Sequence, residues 1–123
     1  MPAIVTGLVP MVHVSDVERS INFYTKLGLN MVNKLSNQNG TTVWTFMKSG
    51  GAEIMFTIAD EPVVPSQQAV LFYLYANDLV GLREQLIAKE VSVSQITFPP
   101  YMKKGEMCVN DPDGYCLLIG QSD

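Results

Sequence analysis

The feature that most constrains this chain is a strand, a capped helix and a glycine stop near its start. Residues 7–14 are almost wholly apolar, which predicts a strand that is buried on both faces. Ser15 and Asp16 offer oxygens to the free N–H groups of a first helical turn, and Glu18 lies where a capping box needs it. Gly28 can adopt the left-handed conformation that ends a helix. The stretch therefore predicts a buried strand that leads directly into an amphipathic helix.

The same plan returns in the second half of the chain. An apolar run over residues 69–75 leads to Asn77 or Asp78, either of which can cap a helix whose leucines recur at helical spacing. Asp78 follows Asp16 by sixty-two residues, and both open a helix after an apolar strand. A repeat of this length with the same order of elements indicates one supersecondary unit used twice.

The remaining segments indicate short strands separated by turn residues. Further strands are predicted at residues 29–36, 41–48, 52–58, 91–97, 106–110 and 115–120. The Asp-Pro-Asp-Gly sequence at 111–114 predicts a tight turn between the last two of them. Two prolines and several polar residues mark residues 59–68 as a linker. The chain thus reads as one domain with a first module over about residues 5–58 and a second over about 69–121, each in the order βαβββ.

Both ends of the chain resemble the vicinal oxygen chelate superfamily, which includes glyoxalase I, the fosfomycin-resistance proteins, the extradiol dioxygenases and the bleomycin-binding resistance proteins. The resemblance covers residues 14–28, Val-Ser-Asp-Val-Glu-Arg-Ser-Ile-Asn-Phe-Tyr-Thr-Lys-Leu-Gly, and residues 110–119, Asn-Asp-Pro-Asp-Gly-Tyr-Cys-Leu-Leu-Ile. It implies an α+β fold in which paired βαβββ modules form a curled mixed-sheet cup with the helices outside. By analogy with small members, and because each module needs its open face covered, we expect a homodimer.

Composition and charge argue against several classes of protein. The formal net charge is -4, and the eight Lys and Arg residues are scattered, so we expect no nucleic-acid partner. Two cysteines do not make a disulfide framework. The first residues lack the pattern of a secretory signal, and no apolar run is long enough to span a membrane. We therefore expect a cytoplasmic protein without a membrane partner.

The resemblance also implies where a metal would be held. Metal-dependent members present His and Glu ligands on the first and fourth strands of each module. Spacing from the helix-opening aspartates and the turn glycines places these positions at Val9, Met55, Leu71 and Leu118. All four side chains are apolar and none binds a divalent ion as His, Cys or a carboxylate does. We therefore expect no metal, no other cofactor and no catalytic residue.

A displaced metal site is the alternative that strand alternation leaves open. Alternation turns a set of potential ligands toward the predicted inner face: His13, Glu53, Glu106, Cys108 and Cys116. Three of them, the histidine and the two cysteines, have a simpler interpretation. His13 fits a rim or core histidine with one hydrogen bond, and the cysteines fit small buried residues that are diagonal neighbours in the last hairpin.

Without a metal, the predicted inner face is apolar, soft and aromatic, as small-molecule pockets commonly are. Trp44 and Phe46 share one face of the third strand, where they either stack on a ligand or pack under the helix. Tyr101 and Glu106 are predicted rim contacts. The candidate ligand-binding residues are Val9, Met11, His13, Trp44, Phe46, Met55, Leu71, Tyr73, Tyr101, Glu106, Cys108 and Leu118.

Three functions fit these observations. The first is metal-independent binding or sequestration of a small, partly apolar organic ligand in the cup or in a dimer groove. Val9-Pro10 resembles the bleomycin-resistance branch, and an acidic chain suits a cationic drug. The second is a divalent-metal-dependent lyase, isomerase or dioxygenase with a displaced site. The third is a structural or regulatory dimer whose inner face is filled by its own side chains or by its partner.

Overall fold

Two α-helices and seven strands form along residues 2–123, the part of the chain that this computed structural model describes. Contacts between elements divide the chain into one unit that ends at Val63 and another that runs from Val64 to Asp123. Both α-helices have ten residues, and within the described range neither is long and apolar enough to cross a membrane.

The first unit has the predicted order βαβββ. Its elements are β1 (Met11–Val14), α1 (Val17–Lys26), β2 (Asn30–Ser36), β3 (Thr42–Ser49) and β4 (Ala52–Ile58). The strands form one mixed sheet in the order β1-β4-β3-β2, in which β1 is parallel to β4 and the other neighbours are antiparallel. Helix α1 packs on one side of this sheet, and the ring of Tyr24 lies 4.6 Å from that of Phe56 between centroids. The residues buried here include Val12, Val14, Val17, Ile21, Phe23, Leu29, Met47 and Ile54.

Helix α1 begins and ends as predicted, but its cap differs from the predicted capping box. The cap is Asp16, whose carboxylate accepts a hydrogen bond of 3.1 Å from the N–H of Arg19. Glu18 is then one position too early to reach back to the cap. Its carboxylate instead accepts from the Thr42 hydroxyl at 2.6 Å and from Lys34 Nζ at 3.0 Å. The prediction of a capping box is wrong for that reason.

Strand β1 is shorter and more open than predicted. A regular strand forms only at Met11–Val14, where exposed and buried residues alternate. The prediction of burial on both faces is wrong because β1 is an edge strand and α1 covers only one side of its sheet. Pro10 still extends the pairing, since its carbonyl accepts from the N–H of Met55 at 2.8 Å.

The second unit contains a smaller sheet and the second helix. Its elements are a 3₁₀ turn (Pro65–Gln67), β5 (Phe72–Ala76), α2 (Leu79–Ala88), β6 (Glu106–Asn110) and β7 (Cys116–Gln121). The strand order is β5-β7-β6, with β5 parallel and β6 antiparallel to β7. Asp78, and not Asn77, caps α2 by accepting from the N–H of Gly81 at 3.0 Å. The buried residues include Leu79, Leu86, Met107, Val109, Tyr115, Leu117 and Ile119.

The strand predicted at residues 91–97 is reduced to two isolated bridges, Val93 with Val109 and Thr97 with Glu106. Between them, the Ser94 hydroxyl accepts from the N–H of Cys108 at 2.8 Å and so takes the place of a backbone acceptor. The Ser94 side chain thus competes with the backbone for a hydrogen bond that would otherwise pair this segment with β6. Within residues 64–123 the second module is therefore one regular strand short of βαβββ.

The turn at residues 111–114 forms as predicted. Both the Asp113 and Tyr115 N–H groups donate to one carboxylate oxygen of Asp111 at 2.9 Å. Gly114 has a φ of 88°, which favours glycine. The two aspartates are buried parts of this turn, where aspartate is favoured for local hydrogen bonding.

Candidate functional site

The side of the first sheet away from α1 carries a row of aromatic and sulfur-containing side chains. Cross-strand partners share a face, so the register places Phe46, Met55 and Met11 side by side. The adjacent row joins Trp44 and Thr57 with Leu35 and His13 at its two ends. We call this surface the first open face, and it consists of Met11, His13, Leu35, Trp44, Phe46, Met55 and Thr57.

The register settles the position of Trp44 and Phe46. Thr45 and Met47 are buried on the α1 side of β3, so Trp44 and Phe46, which alternate with them, lie on the open side. Both aromatic side chains are half-buried. Of the two arrangements that the sequence allows, packing under the helix does not occur.

The second sheet presents a comparable surface opposite its buried residues Leu117 and Ile119. Register places Leu118 between Tyr73 and Cys108, and Gly120 between Tyr75 and Glu106. We call this surface the second open face, and it consists of Tyr73, Tyr75, Glu106, Cys108, Cys116, Leu118 and Gly120.

A buried carboxylate is the most structured feature of the second open face. Glu106 is only 7% exposed. Its two oxygens accept one hydrogen bond each, from the hydroxyls of Tyr73 and Tyr101, both at 2.8 Å. A Cβ added to Gly120 would lie 3.0 Å from the Tyr73 hydroxyl and 2.8 Å from Met102 Cε. The glycine therefore makes room for the phenol of β5 to cross β7 and reach β6.

Both phenols of this group have raised pKa values. Burial, followed by the hydrogen bond to Glu106, raises the pKa of Tyr73 to about 12. The same hydrogen bond is the main cause of a raised pKa for Tyr101. Both tyrosines therefore act as donors at neutral pH. We call this group the Tyr73–Glu106–Tyr101 cluster.

The two cysteines are diagonal neighbours, as the sequence predicts. Cys108 lies opposite Leu118 and Cys116 opposite Asn110, and the two sulfur atoms are 3.4 Å apart as free thiols. Burial and the contact with Cys116 raise the pKa of Cys108 to about 11. The Cys108 thiol is thus protonated at neutral pH and is a weak nucleophile there.

The structure brings most of the candidate ligand-binding residues together within one unit or the other. Of the candidates in the first unit, only Val9 lies outside a strand, just before β1. In the second unit Leu71 lies exposed just before β5, and Tyr101 joins the face through its hydrogen bond. The candidate residues did not include Leu35, Thr57, Tyr75 and Gly120, which the register places on the two open faces. Alternation with Tyr73 indicates Tyr75, whereas the role of Gly120 depends on strand register.

The residues at the implied metal positions do not fit a metal. Val9, Met55, Leu71 and Leu118 offer at most one soft thioether. Among residues 2–123, no three His, Cys, Asp or Glu side chains are grouped so that they could hold an ion.

An open depression of about 620 Å³ lies at the start of α1. Its lining includes Ser15, Asp16, Glu18, Lys34, Ser36, Thr41, Thr42 and Ile58. The hydrogen bonds from Thr42 and Lys34 lower the pKa of Glu18. These hydrogen bonds join α1 to β2 and β3. The polar side chains that line the depression therefore serve the packing of the first unit.

Together, the two mixed sheets of four and three strands and the two helices define an α+β protein. The model of the Glyoxalase/Bleomycin resistance protein/Dioxygenase superfamily matches residues 8–119. The chain belongs to that superfamily, as the motifs at its two ends predict. No curated protein matches its sequence.

Solved structures share this fold at low sequence identity. A bleomycin-binding protein complexed with bleomycin matches with a TM-score of 0.75 and 16% identity, over 97% of this chain and 100% of that one. A bleomycin resistance determinant encoded on transposon Tn5 matches with 0.76 and 16%, over 97% and 99%. TnmS3, an antibiotic binding protein from a Streptomyces species, matches with 0.73 and 20%, over 99% and 100%.

Proposed function

We propose that this protein binds a small, partly apolar organic molecule without the help of a metal. The observation that carries the proposal is the first open face, where Trp44, Phe46 and Met55 lie on the side of the sheet that no helix covers. Flat aromatic rings and adaptable methionines are typical of sites that hold aromatic ligands. The role is binding or sequestration rather than turnover.

Two further considerations support the proposal. The names of several structural neighbours describe them as binding bleomycin or an antibiotic. The residues at the implied metal positions are apolar, so a ligand there meets soft side chains instead of an ion. The proposal includes a homodimer with no nucleic-acid partner, and a cytoplasmic location stays a prediction from the sequence.

The single tryptophan supplies a direct test, because Trp44 lies on the proposed surface. Titration with a panel of planar aromatic compounds should change Trp44 fluorescence and raise the melting temperature. Phe46→Ala should weaken the binding of any such compound about tenfold, since an aromatic pair contributes roughly 0.5–1.5 kcal/mol beyond its area. The matched control is Phe98→Ala, which removes an exposed ring from a loop of the second unit and should leave binding unchanged.

The same titration tests the metal-dependent alternative. We expect equal affinity in chelator and after addition of Zn²⁺, Mn²⁺, Fe²⁺ or Ni²⁺. Binding that requires one of these ions would contradict metal independence and direct attention to His13, Glu53 and Glu106. Binding that leaves Trp44 fluorescence unchanged and is insensitive to Phe46→Ala would place the ligand elsewhere.

A further inference from the structure

Glu106 is a buried carboxylate without a counter-ion. Both of its oxygens accept hydrogen bonds from phenols, so the two side chains that bind the carboxylate are neutral donors. Among residues 2–123 no Lys or Arg pairs with it, and the nearby Lys104 is joined to Asp123 instead. Buried charges in proteins are normally paired, so two neutral donors leave this one only partly compensated.

Three tyrosine rings lie close to this carboxylate on the second open face. Tyr73 and Tyr75 lie 5.3 Å apart between ring centroids, and their planes are inclined by 45°. Tyr75 is 67% exposed and Tyr101 is 68% exposed, while their neighbour Glu106 is buried. Exposed tyrosine rings around a negative charge are the arrangement that attracts organic cations through cation–π and charge interactions.

We propose that the Tyr73–Glu106–Tyr101 cluster, with the ring of Tyr75, binds the ammonium group of an organic cation. The inference rests on the proposed function and specifies its ligand class as an amine or quaternary ammonium compound. One carboxylate and two protonated phenols provide too few anionic ligands for a divalent metal. An alkylated ammonium instead needs one negative charge and several aromatic faces, and the cluster offers both.

The test uses two compounds that have nearly the same shape but differ in charge. They are choline and its uncharged carbon isostere, dimethylbutanol. Titration calorimetry should show choline binding at least about tenfold more tightly than dimethylbutanol. Glu106→Gln should abolish this preference. The matched control is Glu53→Gln, which removes an exposed carboxylate from β4 and makes the same change in net charge. That control should retain the preference.

A second pair of variants keeps the test valid if Glu106→Gln does not fold. Tyr101 lies in an exposed loop, so Tyr101→Leu should fold normally and lose most of the preference for choline, because it removes a ring. Tyr101→Phe retains the ring and should keep the preference, although it loses the hydrogen bond to Glu106.

The outcomes distinguish this inference from the proposed function. Equal binding of choline and dimethylbutanol would overturn the cation site, and so would no binding of choline while aromatic compounds still change Trp44 fluorescence. In both cases the proposed function stands. If no compound of either panel binds, the proposed function fails and this inference fails with it.

Discussion

At the scale of single residues, burial and a neighbouring sulfur set the chemistry of Cys108. The pKa of its thiol is raised from 9.0 to about 11, first by burial and then by the contact with Cys116. Because the thiolate is the reactive form, a raised pKa lowers the fraction that reacts at neutral pH. Cys108 is therefore weakly reactive at neutral pH even though it lies on an open face.

We predict that Cys108 reacts slowly with iodoacetamide at neutral pH and that its rate rises with a midpoint near pH 11. Cys116→Ala removes the second cause of the shift and should move the midpoint of the rate profile toward lower pH. Mass spectrometry of the alkylated protein over a pH series measures both profiles. The denatured protein is the control and should react with a midpoint near 9.0, the ordinary thiol value. A folded-state midpoint below that of the denatured protein would contradict the prediction.

The sequence predicts part of this chemistry. The diagonal relation of Cys108 and Cys116 follows from the turn between them, because the turn fixes the register of the hairpin. The hydrogen bond from Tyr101 to Glu106 does not follow, because it depends on how the loop before β6 folds back. Local periodicity carries no information about such a loop contact.

At the scale of elements, the absence of a side chain at Gly120 allows the Tyr73 phenol of β5 to pass over β7 and reach Glu106 of β6. A Cβ there would lie within 3.0 Å of both the Tyr73 hydroxyl and Met102 Cε. Met102 can move because its end is flexible. A shift of the Tyr73 hydroxyl would disturb its 2.8 Å bond to Glu106, so the absence of a side chain at Gly120 leaves room for the cluster.

We predict that Gly120→Ala displaces Tyr73 and lowers the pKa of its phenol from about 12 toward the ordinary value of 10.0. The free energy of unfolding should fall by about 1–3 kcal/mol through overpacking. A spectrophotometric titration of tyrosinate and urea unfolding measure the two effects. Gly51→Ala is the matched control, because a Cβ there meets nothing within 4 Å, and it should leave the Tyr73 titration unchanged. An unchanged titration in Gly120→Ala would show that Tyr73 does not depend on this gap.

The bounds of the elements were predictable where turn residues bracket a strand. Strands β4 and β6 have the predicted bounds, residues 52–58 and 106–110, because each begins after a glycine. Residues 91–97 have strand-like composition but form only two bridges. The competing hydrogen bond from the Cys108 N–H to the Ser94 hydroxyl is a tertiary contact, and composition alone does not indicate it.

At the scale of the whole molecule, the repeat that joins Asp16 to Asp78 predicts the α+β fold, since both aspartates cap a helix after a strand. What the repeat does not indicate is how much apolar surface remains uncovered. Strand β2 is an edge strand whose residues are all exposed, including Met31, Val32 and Leu35. An exposed apolar edge strand is a surface that proteins usually cover or protect.

We therefore predict that β2 contributes to a homodimer interface. Light scattering of the purified protein should give twice the chain mass of 13.6 kDa. Val32→Glu places a charge on the 56% exposed edge and should shift the equilibrium toward the monomer, because burying an unpaired charge is costly. The matched control is Val80→Glu, at a 59% exposed position of α2, which should leave the mass unchanged. A monomeric wild-type protein at all concentrations, or a dimer that persists in Val32→Glu, would contradict this assignment.

Because Leu35 of β2 pairs with Trp44, a dimer formed along this edge would also border the first open face. The monomeric variant should therefore bind aromatic compounds more weakly.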